Sequence, residues 1–237
     1  EEESRALAAA EAFVASDLPV ATVLNRASKV KGETRVREWE VLAGDAAEGR
    51  PDDGTTARPI TETVHREYGC EFAVDVARVY FSPRLATERH RVVEQVESGE
   101  HVFDMFAGVG PFAIPIAKRG ADVVATDVND VAVEYLRENA RRNGVEERVT
   151  AICGDVRDVA PEYAGWADRI VMNLPHSADE FLDVAVELAG DDCTVHYYDI
   201  QHEDDPFGPG EDAIRAAAEP DYEVEGLERR EVRSYAP

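Results

Sequence analysis

Cysteine, lysine and long apolar runs are all scarce in this chain of 237 residues. Its three cysteines, Cys70, Cys153 and Cys193, are too dispersed for a zinc pattern and too few for a disulfide framework, which suits a reducing cytoplasm. No two histidines have a metal-binding spacing, so we expect no metal site. No apolar run is long enough to span a membrane, and the sequence shows no signal-peptide pattern at its start. We therefore expect no membrane partner.

Positive charge is also scarce, and lysine most of all. The chain has 50 acidic and 25 basic residues, of which only Lys29, Lys31 and Lys118 are lysine, and its formal net charge is −25. The acids are spread over the whole chain, so the composition resembles that of proteins from extreme halophiles; a merely acidic soluble protein is the alternative. The net charge argues against nucleic acid as a partner. In molar salt, however, charges are screened over about 3 Å, so local arginine clusters matter more than the total.

Apolar strands and helices alternate through the later part of the chain, which predicts an α/β domain with a parallel sheet. Four successive strands there end in a polar residue: Asp104, Asp127, Asp155 and Asn173. Open α/β sheets bind ligands at the carboxyl ends of their strands, so this ordered series predicts a binding site. The first of these strands runs into a glycine turn, Asp104-Met-Phe-Ala-Gly-Val-Gly-Pro-Phe112, where a ligand can approach the backbone closely.

The glycine turn is compatible with two kinds of cofactor. Gly108-Val-Gly-Pro-Phe-Ala113 fits the relaxed dinucleotide fingerprint, which would place a pyrophosphate at the helix N-terminus. Asp104 opposes that assignment because a carboxylate repels a pyrophosphate, whereas it suits a cationic or amino-bearing cofactor. In this respect the segment resembles class I S-adenosylmethionine-dependent methyltransferases. The resemblance implies that the turn, with Asp104 and Phe106, contacts the methionine part, that Asp127 holds the ribose and that Asp155 meets the adenine.

The first third of the chain mixes helix and strand patterns. A helix is predicted near residues 3–15, strands near 34–41, 60–65 and 72–76, and a loop rich in glycine, aspartate and proline at 43–58. Ser82 and Pro83 then favour the start of a helix that continues to Val96, and residues 226–235 predict a late strand. We place a boundary near Val79, which divides the chain into a small α+β domain (1–78) and a Rossmann-like domain (79–237).

The segment Val79-Tyr-Phe-Ser-Pro-Arg-Leu-Ala-Thr-Glu-Arg89 narrows the choice of methyltransferase. With the glycine turn, Asn173-Leu-Pro175, His196-Tyr-Tyr198 and Ser234-Tyr-Ala-Pro237, it resembles the archaeal tRNA (guanine-37 N1)-methyltransferase family over nearly the whole chain. The resemblance implies a class I methyltransferase domain preceded by an RNA-binding or linking domain, S-adenosylmethionine as cofactor, and the tRNA anticodon loop with guanosine-37 as partner. Family members also carry an N-terminal recognition domain, which this chain is expected to lack. We expect a monomer.

Guanine N1 carries a weakly acidic proton and is a poor nucleophile at neutral pH. Methyl transfer therefore needs a positioned base to remove that proton and a donor to hold the charge that develops on O6. The family resemblance implies Glu88 as the base and Arg37 as the O6 donor, with Arg35 as the alternative to Arg37. It further implies that Tyr80 and Asn173 position the guanine.

Several of these residues also have a simpler structural interpretation. Arg84, expected beside the cofactor or the target nucleotide, lies four residues before Glu88, a spacing typical of a surface ion pair. Asp127 and Asp155 both precede helical stretches and could cap them. Tyr198 lies in an apolar strand and is expected in the core. A group of arginines around the domain boundary is expected to bind RNA: Arg35, Arg37, Arg66, Arg84, Arg89 and Arg91.

Other functions remain open at this level. A wybutosine-pathway enzyme would use the same cofactor but transfer its aminocarboxypropyl group, whereas Ser82-Pro-Arg-Leu-Ala-Thr-Glu88 resembles the methyltransferases. Methylation of the modified, tricyclic base at C7 is not excluded by the sequence. The intact strand-end residues and Glu88 argue against an RNA-binding module that has lost catalysis. An amino-methylating enzyme is disfavoured because Asn173-Leu-Pro-His176 lacks a second proline and a following aromatic residue.

Overall fold

The computed structural model describes residues 2–28, 32, 36–44, 59–202, 204–219 and 221–232. The chain forms two compact units: the first comprises residues 1–65 and 73–81, and the second residues 66–72 and 82–237. Each unit is therefore discontinuous in sequence, because residues 66–72 belong to the second one. The single domain boundary near Val79 stays a prediction.

The first unit combines one helix with short antiparallel strands. Helix α1 (Glu2–Val14) is followed by β1 (Val23–Arg26), which pairs with β2 (Trp39–Ala43). The indole Nε1 of Trp39 donates a hydrogen bond to the carbonyl oxygen of Val76 at 2.7 Å and so ties β2 to the rest of the unit. Strand β2 begins later than the sequence predicted, and most of the predicted loop after it lies outside the described residues.

Strands β3 (Glu62–Glu67) and β4 (Cys70–Asp75) form a hairpin sheet of their own. Its turn is Tyr68-Gly69, and both residues have positive φ, 43° and 74°. A two-residue connection requires this backbone because it matches the twist of the flanking strands. Both strands were predicted, and their bounds differ from the prediction by at most two residues.

The second unit is built on five parallel strands in the order β7-β6-β5-β8-β9. Their bounds are β5 His101–Asp104, β6 Asp122–Asp127, β7 Val149–Cys153, β8 Ala167–Met172 and β9 Ala189–Tyr197. This sheet confirms the predicted α/β, Rossmann-like class. The chain order reverses between β5 and β8, and open α/β sheets bind ligands in the crevice at such a switch point.

Helices precede, connect and follow the strands of this sheet. They are α2 Ala86–Val93, α3 Ala113–Lys118, α4 Asp130–Arg142, α5 Val156–Val159, α6 Leu182–Leu188 and α7 Gly208–Ala218, with short 3-10 helices at Pro83–Leu85, Ala160–Tyr163 and Ala178–Phe181. In α4 the residues Ala132, Leu136 and Ala140, spaced four apart, lie on one buried face. None of the described helices is both long and apolar enough to cross a membrane.

The central strands are apolar on both faces. Phe103 in β5 and the consecutive Ile170, Val171 and Met172 in β8 are completely buried. Such continuous apolar runs are typical of parallel strands that helices cover on both sides. Each large side chain contributes about 1.5–3 kcal/mol by leaving water. This burial fixes the strands and therefore the positions of the polar residues that follow them.

Two predicted elements are wrong in detail. The helix expected from Ser82 to Val96 is a 3-10 turn followed by α2, which ends at Val93. The side chain of Ser82 does not cap the 3-10 turn. Instead, the backbone carbonyl oxygen of Ser82 accepts a hydrogen bond from Arg89 Nη1 at 3.0 Å. The late strand expected at 226–235 does not form in its described part, residues 226–232. Charged residues there leave no apolar face to bury, and Leu227 is 72% exposed.

Candidate active site

The backbone conformation of the glycine turn is fixed by its two glycines and by the side chains packed around them. Gly108 and Gly110 have φ values of 55° and 88°, in the region that glycine adopts without strain. A side chain at Gly110 would place its Cβ 2.5 Å from Leu136 Cδ1 and 2.9 Å from Ile114 Cγ1. The turn is also tied to β6, because Ala107 N donates to the Thr126 carbonyl oxygen at 2.8 Å. These contacts hold the turn in place at the carboxyl end of β5.

Asp104, the last residue of β5, is a buried carboxylate without a partner. Its side chain belongs to a residue that is 1% exposed, and neither oxygen accepts a hydrogen bond of normal geometry from the described residues. Burial raises the pKa of Asp104 to about 7, and the charge of Asp127 adds to this, against the opposing effect of nearby backbone N–H groups. An unpaired buried acid is costly, so this arrangement favours a ligand that supplies a positive charge or N–H donors.

Asp127, the last residue of β6, supports the glycine turn. One carboxylate oxygen accepts a hydrogen bond from Gly108 N at 2.8 Å and the other from Asn129 N at 2.8 Å. Burial raises the pKa of Asp127, and these two N–H groups oppose that increase. The cap of α4 is Asn129, whose side chain accepts from Val131 N and Ala132 N, so the helix-cap interpretation is wrong for Asp127.

For Asp155 the helix-cap interpretation is correct. Its Oδ1 accepts a hydrogen bond from Arg157 N at 2.9 Å at the start of α5. The Arg157 guanidinium also contacts both carboxylate oxygens, which holds the pKa of Asp155 below its usual range. The same guanidinium lies 4.8 Å from the centre of the Phe181 ring, and Phe106 meets that ring edge-on at 5.0 Å. An aromatic surface therefore lies beside Asp155.

Glu88 lies in α2 and is 6% exposed. Arg91 donates to both of its carboxylate oxygens, from Nε at 3.0 Å and from Nη2 at 2.7 Å. The Tyr198 hydroxyl donates to Oε1 at 2.9 Å. Burial raises the pKa of Glu88, but the hydrogen bonds from Arg91 and Tyr198 outweigh it and the pKa is lowered. The alternative interpretation, a surface ion pair with Arg84, is wrong, since the exposed Arg84 makes no ion pair within the described residues.

A family model of the TRM5/TYW2 methyltransferase domain matches residues 63–225. The chain belongs to this family. It is 45% identical over 219 residues to tRNA (guanine(37)-N(1))-methyltransferase Trm5b of Pyrococcus abyssi, a match that covers 92% of this chain and 61% of that protein. The chain therefore spans less than two thirds of the length of this relative.

Solved structures of both branches of the family are similar to this TRM5/TYW2 chain. The structure of aTrm5 in complex with tRNALeu has a TM-score of 0.81 at 37% identity and covers 100% of this chain and 63% of that one. The structure of P. horikoshii TYW2 in complex with MeSAdo has a TM-score of 0.82 at 32% identity, with coverage of 99% and 80%. Backbone similarity alone therefore does not separate the two branches.

Two residues of the TRM5/TYW2 domain, Arg91 and Tyr198, donate hydrogen bonds to Glu88. The sequence analysis did not assign either of them to the catalytic site. Tyr198 was expected in the core, yet its hydroxyl bonds to Glu88. Arg91 was expected to bind RNA; besides Glu88 it contacts Glu228 Oε2 at 2.7 Å from Nη1. The three-residue spacing of Glu88 and Arg91 was the available signal for that pair. Nothing local in the sequence indicated Tyr198 or Glu228.

The remaining predicted site residues are divided between the units. Asn173 directly follows β8 and is partly buried. Arg37 and Tyr80 belong to the first unit, where the guanidinium carbon of Arg37 lies 5.6 Å from the centre of the Trp39 ring and Tyr80 is 38% exposed. Arg35 lies outside the described residues.

The predicted group of RNA-binding arginines is wrong in one member of the second unit. Arg89 is 2% exposed, and its Nε and Nη2 donate to Glu67 at 2.7 and 2.6 Å. A guanidinium that is enclosed in this way is not available to a phosphate. Arg66 is open to solvent beside Glu71, and Arg84 is exposed, so both remain candidates for RNA contacts.

Proposed function

We propose that the chain is an S-adenosylmethionine-dependent enzyme that methylates N1 of guanosine-37 in tRNA. The 45% identity to Trm5b over 92% of the chain supports this activity. The structural observation that carries the proposal is Asp104, a buried carboxylate that lies at the switch point of a Rossmann-like sheet and has no hydrogen-bond partner among the described residues. A binding site for a cationic or amino-bearing group is the simplest account of that carboxylate.

The residues around the glycine turn fit this cofactor. Asp104 is suited to the amino group of the methionine part, because a positive charge would compensate its burial. Asp127 already accepts two backbone N–H groups, and its remaining lone pairs are suited to the ribose hydroxyls. Phe106 and Phe181 offer apolar surface for the adenine beside Asp155. Gly108, Arg84 and Asn173, which also helps to orient the base, complete the proposed cofactor residues.

Bound S-adenosylmethionine would supply an electrophilic methyl group, with the neutral thioether S-adenosylhomocysteine as the leaving group that keeps the electron pair of the broken carbon–sulfur bond. Glu88 takes the proton from guanine N1, so that the N1 electron pair becomes available for the new bond to carbon. Arg37 donates to O6, where negative charge develops, and Tyr80 and Asn173 orient the base. These four roles rest on the family resemblance and on the burial and ionisation of Glu88.

The tRNA is proposed to contact both parts of the chain. We assign RNA binding or linking to residues 1–78 and catalysis to 79–237, with exposed arginines such as Arg66 and Arg84 as phosphate contacts. A monomeric, cytoplasmic protein of a halophilic archaeon is part of the proposal. The acid-rich, lysine-poor composition supports the halophilic origin.

A second candidate function is aminocarboxypropyl transfer to the modified base at the same position. The high TM-score of 0.82 to P. horikoshii TYW2 is the observation that keeps it in view. The higher identity to Trm5b, 45% against 36% for the tRNA(Phe) (4-demethylwyosine(37)-C(7)) aminocarboxypropyltransferase of P. horikoshii, favours methyl transfer.

Nucleoside mass analysis separates these candidates. The chain is incubated at high salt with S-adenosylmethionine and unmodified tRNA that carries guanosine-37, and the tRNA is then digested. We expect 1-methylguanosine, and none from a control tRNA with adenosine at position 37. An aminocarboxypropyl adduct on tRNA that carries the wybutosine precursor, without 1-methylguanosine, would assign the chain to the other branch. No product from either tRNA would contradict an enzymatic role.

A further inference from the structure

Both oxygens of Glu88 are engaged by one guanidinium. Arg91 Nε and Nη2 donate to Oε2 and Oε1 at 3.0 and 2.7 Å, and its third nitrogen, Nη1, donates to Glu228 Oε2 at 2.7 Å. Two parallel hydrogen bonds of this kind hold the carboxylate in one plane and also favour its ionised form. Glu228 lies in residues 222–232, which form neither helix nor strand and reach Arg91 from a distant part of the sequence.

We infer that Arg91 is a positioning residue for methyl transfer: it holds the Glu88 carboxylate in one orientation and keeps it ionised inside the protein. This inference rests on the proposed function, because it assigns to Arg91 a role in presenting the base. Arg91 acts through Glu88 and is given no contact with substrate or cofactor. The protein uses the fork of a guanidinium here because a lysine offers a single point charge and no defined plane.

Burial makes such a partner necessary. A carboxylate that is 6% exposed and unpaired would be protonated at higher pH, and a protonated acid cannot accept the guanine proton. The side chain of Glu88 is 6% exposed and that of Arg91 is 23% exposed, so the Glu88 end of the pair is the one that is shielded from water. Two donors in a protected site therefore replace the solvent that would otherwise keep Glu88 charged.

The other groups that face Glu88 do not duplicate this role. Tyr198 donates one hydrogen bond at 2.9 Å from beyond the end of β9 and carries no charge. Arg230 Nη1, from residues 222–232, is 3.8 Å from Oε2, beyond hydrogen-bond distance, and its side chain is 49% exposed. His196 in β9 is neutral, because burial and the charges of Arg169 and Arg91 lower its pKa to about 4. Among the described cations, Arg91 is therefore the one that donates hydrogen bonds to Glu88, and Arg230 contributes only a longer ion pair.

The first test measures Glu88 without catalysis. Carboxyl carbons of glutamate are followed by NMR over pH in the RNA-free chain, and Glu88 is assigned from the resonance lost in Glu88→Gln. In the wild type Glu88 should titrate below ordinary glutamates, and in Arg91→Gln it should titrate at higher pH because burial is then unopposed. Unchanged titration in Arg91→Gln would overturn the inference, whatever the activity of the chain.

The second test measures the chemical step at saturating tRNA and cofactor. Single-turnover methylation by Arg91→Gln should slow at least about tenfold, a fraction of what a general base contributes, and the acid limb of its pH profile should move to higher pH. Arg91→Lys should keep the acid limb near that of the wild type and lose less rate. A wild-type rate in Arg91→Gln, or a defect confined to the KM for tRNA, would overturn the inference.

Arg142→Gln is the matched control. Arg142 is also 23% exposed at its side chain and also contacts two carboxylates, those of Glu138 and Glu71, away from the proposed site. It should change neither the titration of Glu88 nor the pH profile, and thermal unfolding should confirm that all variants fold. A wild-type chain that produces no 1-methylguanosine would contradict the proposed function, while the NMR result would still decide whether Arg91 keeps Glu88 ionised.

Discussion

Replacing Asp104 with asparagine should stabilise the ligand-free protein at alkaline pH and weaken cofactor binding. The carboxylate is 1% exposed, and its pKa is raised by burial from the usual 3.8 to about 7. Below about pH 3 the acid is neutral in both the folded and the unfolded chain and has no effect. As the pH rises toward 7 the unfolded chain releases the proton first, so stability is lost over this interval and stays constant above it.

The size of this effect follows from the pKa values. At about 1.4 kcal/mol for each pH unit, the difference between 3.8 and about 7 corresponds to a loss of about 4 kcal/mol at pH 8. Asparagine removes this loss, but its buried amide needs a partner and costs about 1–3 kcal/mol at every pH. The variant should therefore be about 1–3 kcal/mol more stable than the wild type at pH 8, and this advantage should be about 2–3 kcal/mol smaller at pH 5.

Urea unfolding at fixed salt and at pH 5 and 8 measures this difference, with Asp191→Asn at an exposed position as the charge-matched control. Calorimetry at pH 8 should show S-adenosylmethionine binding about tenfold or more weaker in Asp104→Asn, because a charge-assisted contact contributes about 1.5–3 kcal/mol. A stability difference that does not vary with pH would refute the raised pKa. Equal cofactor affinity in the two proteins would refute the contact between Asp104 and the cofactor.

Three further predictions concern the cofactor site, the base and the dependence on salt. Asp127→Ala should weaken cofactor binding strongly in calorimetry, because it removes both the ribose acceptor and the bond at 2.8 Å that holds Gly108; an unchanged dissociation constant would exclude the ribose role. Glu88→Gln should slow single-turnover methylation by about 10²–10⁴-fold with little change in tRNA or cofactor affinity, and a wild-type rate would show that Glu88 is not the base. The salt optimum of activity and folding should lie at high salt, and full folding with best activity near zero added salt would contradict the halophilic assignment.

The parts of the fold that could be predicted from sequence are those that local patterns determine. Strands β5 and β8 contain short apolar runs, Val102-Phe103 and Ile170-Val-Met172, and the polar residues after these runs were predicted to lie at one edge of the sheet. Asp155 shows the limit of such reasoning, since one residue suits both a helix cap and a ligand contact. The Tyr198–Glu88 bond could not be predicted because it joins residues 110 positions apart.

The error at residues 226–235 has a similar origin. A strand was predicted there from the local sequence, but strand formation also needs an apolar face to bury and a neighbouring strand to pair with. In the described part of this segment, Arg229 pairs with Glu211 of α7 and Glu228 pairs with Arg91 of α2. These side chains serve as ionic links between distant elements, a use that no local pattern distinguishes from an exposed strand face.

Strand β9 has a consequence for the behaviour of the molecule at high concentration. Within the described residues it pairs with β8 on one side only, so it is an edge strand, the kind of strand at which two copies of a chain can pair. Asp191 and Asp192 are exposed on this strand, and their like charges would oppose such pairing between two copies, whereas Val195, 37% exposed, would not. Salt shortens the range of that repulsion to about 3 Å at molar concentration. High salt, which suits an acidic surface, thus weakens the charge repulsion that opposes self-association along this edge.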